Sequence, residues 1–142
     1  MYSKTLMISA VALAASFGLA SSASAEVMKM KADLTAASEV PPTKSEGKGS
    51  ADITYDTASK KLSWKLNYTG LTGAATMAHF HGPAAVGANA APAVPIPDPK
   101  SGSEGSATLN DAQAKDLMDG KYYVNVHTDA NKGGEIRGQV TK

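Results

Sequence analysis

The stretch Leu62-Ser63-Trp64-Lys65-Leu66-Asn67-Tyr68 alternates large apolar and polar side chains with a period of two. Successive side chains of a strand leave on opposite faces, so Leu62, Trp64, Leu66 and Tyr68 share one side and Ser63, Lys65 and Asn67 the other. This predicts a strand with one buried and one wet face. Trp64, the only tryptophan, is expected at the centre of the core.

Working back from this run, Ala51 to Asp56 is a second β-type segment, and residues 57–61 suit a hairpin connection between the two. Met28, Met30, Ala32 and Leu34 alternate with Lys29, Lys31 and Asp33, which predicts a further half-buried strand. Met28 and Met30 fall on its apolar face and read as core filler rather than as a soft copper pair. Between these strands, Ala37 to Gly49 carries Pro41-Pro42, Gly47 and Gly49 and is expected to be a loop.

Working forward, Ala74 to His81 predicts another strand. Pro83, Pro92, Pro95, Pro97 and Pro99 then argue against regular structure until about Ser103, leaving a long loop that is either a functional lid or a surface excursion. Gly105 to Leu109 suits a short strand. Asn110 as N-cap, Gln113 at N3, Leu117 and Met118 facing inward and Gly120 at the end outline one brief helix. Tyr122 to Thr128 and Glu135 to Thr141 form a last strand pair across the turn-rich run 129–134. The predicted fold class is all-β, mainly antiparallel, as a sandwich or partly closed barrel with one short helix.

Lys4, an apolar stretch from Leu6 to Leu19 and the small-residue site Ala23-Ser24-Ala25 predict a signal peptide over residues 1–25. A single domain over 26–142 is expected to follow, periplasmic or secreted, with no membrane span after cleavage. Cleavage takes one lysine from the 14 basic residues and leaves 13 to balance 13 acidic ones. That neutrality excludes a basic face for nucleic acid. The absence of cysteine excludes disulfides, thiolate catalysis and Cys-based metal sites.

All three histidines lie in two of the predicted strands. In Met77-Ala78-His79-Phe80-His81, parity puts Met77, His79 and His81 opposite the core-facing Ala78 and Phe80. In Tyr122 to His127, Val124 and Val126 share a face with Tyr122, while Tyr123, Asn125 and His127 take the other. A His-x-His pair on one strand and a third histidine on a neighbour form a three-nitrogen set at the surface, suited to copper and less to zinc, with water, a carboxylate or Met77 sulfur completing the shell. Asn125 and Asp129, on either side of His127, are expected to orient its ring. The competing reading is that the histidines bond loop carbonyls and hold the long loop in place. Glu135-Ile136-Arg137 reads as an exposed strand with a charge ladder.

Glu39-Val40-Pro41-Pro42, Ala78 to Pro83, Tyr123 to Thr128 and Gly134 to Val140, in this order and spacing, resemble the chordin-type CHRD domain over nearly the whole chain after residue 25. The resemblance implies an extracellular or exported module; the family includes growth-factor-binding chordin and stand-alone secreted bacterial proteins. The His-x-His and Val-His segments are also similar, more weakly, to copper/zinc superoxide dismutase, with His79, His81 and His127 at copper-ligand places. No further histidine remains for a zinc site, and no cysteine for that family's disulfide. The leading expectation is therefore an exported copper-binding protein for storage, delivery or protection. The alternatives are a non-enzymatic module contacting an extracellular or periplasmic protein or surface polysaccharide through the proline-rich loop, and a mononuclear copper redox enzyme. Among these, an enzyme is the less expected.

Overall fold

A computed structural model describes residues 24–142, so the predicted signal peptide lies almost wholly outside the described residues. Eight strands follow in chain order: β1 (Val27–Thr35), β2 (Lys48–Asp56), β3 (Lys61–Thr69), β4 (Ala75–His81), β5 (Pro92–Ile96), β6 (Ser103–Thr108), β7 (Tyr123–Thr128) and β8 (Ile136–Gln139). One helix, α1 (Asp111–Met118), separates β6 from β7. All neighbouring strands are antiparallel, in the order β5-β4-β7-β8-β1-β2-β3-β6, and the sheet curls into a nearly closed barrel. Among the described residues no helix is long and apolar enough to cross a membrane.

The predicted alternation sets the interior. Met30, Ala32 and Leu34 of β1, Ala51, Ile53 and Tyr55 of β2, and Leu62, Trp64 and Leu66 of β3 are buried; Ala78, Phe80, Val124, Val126 and Ile136 meet them from the other half. Trp64 and Phe80 touch edge to face, with ring centroids 5.4 Å apart. Their strands are not hydrogen-bonded neighbours, so the contact marks where the curled sheet closes on itself. Met30 is buried in this cluster, as expected of filler.

The two halves join at the β8–β1 seam. It is narrow: Thr35 pairs with Arg137, and Lys31 and Thr141 exchange both backbone hydrogen bonds. Between them Gly138 comes so close to the Asp33 backbone that a Cβ would collide with it, which only glycine avoids. At the other end, α1 has the predicted capping box, Asn110 with Gln113, and buries Leu117. Gln113 also donates to the Ala93 carbonyl, tying the helix after β6 to the edge strand β5.

Strand β5 corrects the expectation that no regular structure occurs before Ser103. Val94 and Ile96 face the core, and the segment pairs with β4 alone. An edge strand tolerates proline because one side of its ladder needs no donors; Pro92 and Pro95 therefore suppress the sequence signal without preventing the strand.

Candidate metal centre

Strands β4 and β7 are direct neighbours, with Met77 opposite His127, His79 opposite Asn125 and His81 opposite Tyr123. Residues opposed in an antiparallel pair share a face. The parity predicted separately for each strand therefore places Met77, His79, His81, Asn125, His127 and Tyr123 together on the non-core side. The three imidazoles gather into one group whose ligand nitrogens all lie within 4.8 Å of one another.

The face is less open than the sequence implied. His81 and His127 are each only 6 % exposed, and His79 is half-buried. The cover is the chain itself. After β4, residues 82–91 fold back across the face, and the turn after β7 does the same at His127. His81 Nδ1 donates to the Ala90 carbonyl at 2.9 Å, and His127 Nδ1 to the Lys132 carbonyl at 2.8 Å. A carbonyl only accepts, so in both rings Nδ1 carries the proton and Nε2 carries the lone pair. The lone pair of His127 accepts from His79 Nδ1 at 3.2 Å. His81 Nε2 is buried without any hydrogen-bond partner.

These bonds serve both sequence readings at once. Of the three, His81 holds the long loop and His127 the turn after β7, each through Nδ1, and the same bonds leave the other nitrogens of His81 and His127 as acceptors. Two nitrogens at about 2.0–2.1 Å from one ion and at a tetrahedral angle stand roughly 3.3–3.4 Å apart. The His79–His127 separation of 3.2 Å already matches this. Burial foremost, then the neighbouring His127 and His81, holds the His79 imidazole below its ordinary pKa. Burial also lowers His81, against the opposing effect of its bond to Ala90. Both shifts favour the neutral imidazole, the form that ligates metals.

The surroundings are built as carefully as the rings. His81 stacks on Tyr123, centroids 4.8 Å apart and planes within 5° of parallel, and the Arg137 guanidinium lies 3.4 Å from the centre of the same tyrosine ring. Tyr123 Oη donates to the Ala90 carbonyl and accepts from the Ala90 amide. Arg137 donates to Asn89 Oδ1 and the Ala88 carbonyl, and Gln139 to the Ala84 carbonyl. The loop is thus strapped down from four side chains, His81 included. Asn125 is buried beside His81, its Oδ1 without a partner. Asp129 instead stands exposed in the turn; the hydrogen bond that fixes the His127 ring goes to the Lys132 carbonyl. Met77 is 48 % exposed.

Glu135 and Arg137 overturn the expected exposed charge ladder, being 0 % and 2 % exposed. Arg137 is covered by the 82–91 loop. The Glu135 carboxylate accepts from Ser45 Oγ, from the Thr72 amide and hydroxyl, from Thr128 Oγ1 and from Asn131 Nδ2. Burial alone would raise its pKa, but the Ser45, Thr128 and Thr72 donors outweigh burial and bring it down to about 2. The group has its ordinary value near 4.5 when unfolded, so its stabilisation is present above that pH and disappears as the pH falls from 4.5 towards 2. Unfolding free energies at pH 7 and pH 3 are expected to differ by about 2–3 kcal/mol through this residue. Glu135→Gln should be less stable at pH 7 and much flatter over that range; an unchanged pH slope in the variant would contradict the assignment.

Sequence reasoning did not find Tyr123, Arg137 or the Ala90 and Lys132 carbonyls as parts of this site. Parity already placed Tyr123 on the histidine face, but no local signal shows which loop carbonyl a ring will meet. Comparison with curated proteins and with solved structures returns no match, so the likeness to superoxide dismutase gains no support there. The family model of the CHRD domain matches residues 30–140, which span β1 to β8 and contain all three histidines. The chain belongs to the CHRD-domain family.

Proposed function

We propose that this protein is exported, to the periplasm or beyond the cell, and binds copper through His79, His81 and His127, for storage, delivery or protection. The observation that carries the reading is the convergence of three ring nitrogens within 4.8 Å, in a group where His81 Nε2 is buried and unpartnered. A buried lone pair without a donor is costly to leave unsatisfied, and an ion satisfies it. Imidazole nitrogens suit copper and zinc alike, and copper stands higher in the affinity order for such donors. To close on one ion, a pair 4.8 Å apart moves inward by roughly 0.7 Å at each nitrogen, a small ring rotation. The His79–His127 hydrogen bond breaks in the process, and its proton leaves Nδ1 if that atom is the ligand.

Calorimetric titration of the purified protein with Cu(I) buffered by a chelator, with Cu(II) and with Zn(II) tests the reading. One equivalent of copper is expected to bind with a dissociation constant in the micromolar range or tighter. If neither copper ion binds stoichiometrically, the proposal fails, and the two loop-holding hydrogen bonds of His81 and His127 become the histidines' whole role. That outcome would favour a non-enzymatic interaction module.

A further inference from the structure

Resting on the metal reading above, we infer that the centre selects copper as the monovalent ion, with the Met77 thioether as its fourth donor. Three observations lead there. The converging ligand atoms come from three imidazoles, and no carboxylate belongs to the group. A fixed cation stands close by, since Arg137 lies over the Tyr123 ring on which His81 stacks. Each further unit of charge on the ion is therefore opposed by Arg137 and offset by no donor. The buried acid Glu39 does not belong to the converging set.

The third observation is the place of Met77. It stands directly across from His127 on the histidine face, beside the register shift between Ala75 and Met77, and keeps 48 % of its surface exposed. Asn125 and Tyr123, on the same face, are both buried, whereas Met77 is open to solvent. Of the large apolar side chains left exposed among the described residues, Met77 is the one on the histidine face. A flexible thioether there is a soft, neutral donor, and soft sulfur with imidazole favours Cu(I) over Cu(II) or Zn(II).

The test is competition under anaerobic conditions against a chromophoric Cu(I) chelator, with parallel Cu(II) and Zn(II) titrations, on the wild-type chain and on Met77→Leu. Leucine keeps the volume at an exposed position, so the fold is not at risk. Cu(I) is expected to bind the wild type more tightly than either divalent ion. Met77→Leu should weaken Cu(I) by about ten-fold or more while Cu(II) and Zn(II) change by less than about three-fold. X-ray absorption of the Cu(I) form should show a sulfur neighbour that the variant lacks. Divalent ions binding as tightly as Cu(I), or Cu(I) affinity unaffected by Met77→Leu, overturns this inference while leaving the three-histidine reading standing. Absence of binding by every ion overturns both.

Discussion

His127→Ala and His81→Ala are each expected to weaken copper binding by at least about 100-fold, since each removes one of three nitrogens from a set with no spare histidine. The two variants should keep their fold. Each loses a hydrogen bond to a loop carbonyl, Lys132 or Ala90, and His127→Ala also loses the bond from His79, at about 1 kcal/mol each. For His81 the loop remains tied by Tyr123, Arg137 and Gln139. Affinity and thermal unfolding must therefore be measured on the same samples. Copper binding that persists within about three-fold in a folded variant would show that the ring in question is not a ligand. Loss of fold in place of loss of metal would assign that ring to the structural role.

Phe80→Ala is expected to lower the unfolding free energy by about 3–5 kcal/mol, the range for deleting a buried phenyl ring. Phe80 is fully buried, and it meets Trp64 at the point where the two halves of the sheet face each other. A typical domain has about 5–15 kcal/mol in all, so this one substitution removes a large share. It lies between His79 and His81 and sets how β4 rests on the core. A copper affinity reduced in the folded fraction of the variant would follow from that. Chemical denaturation followed by fluorescence of Trp64, the only tryptophan, gives the measurement. A loss under about 1.5 kcal/mol would mean that the core collapses around the gap more easily than the edge-to-face contact implies.

Much of the site is legible without coordinates, because strand parity is local. Phe80 and Val126 are apolar and turn inward, and their neighbours His79, His81 and His127 then have to turn outward whatever the tertiary arrangement. What parity leaves open is depth. An outward-facing residue is at the surface only if nothing folds over it, and here residues 82–91 do. The same cover explains why Arg137 looks, from its own strand, like part of an exposed ladder. Glu135 looks exposed for another reason: its five donors come from Ser45, Thr72, Thr128 and Asn131, dispersed along the chain. Strand β5 escapes a local reading because proline lowers the propensity of any strand, and its position at the edge is what makes Pro92 and Pro95 harmless.

The alternation of β1, β3, β4 and β7 with core members such as Met30, Leu34, Trp64, Phe80 and Val126, the capped helix at Asn110 and the face on which each histidine stands are written in the amino-acid order alone. They follow from period-two geometry and capping, which act over a few residues. That β4 lies beside β7, that Tyr123 and Arg137 back His81, and that Ala90 and Lys132 orient the rings emerges with the folded chain. Backbone hydrogen bonds are alike along every strand, so which two strands share a ladder is settled by closure of the whole sheet around one core, and the meeting of the three imidazoles depends on that choice.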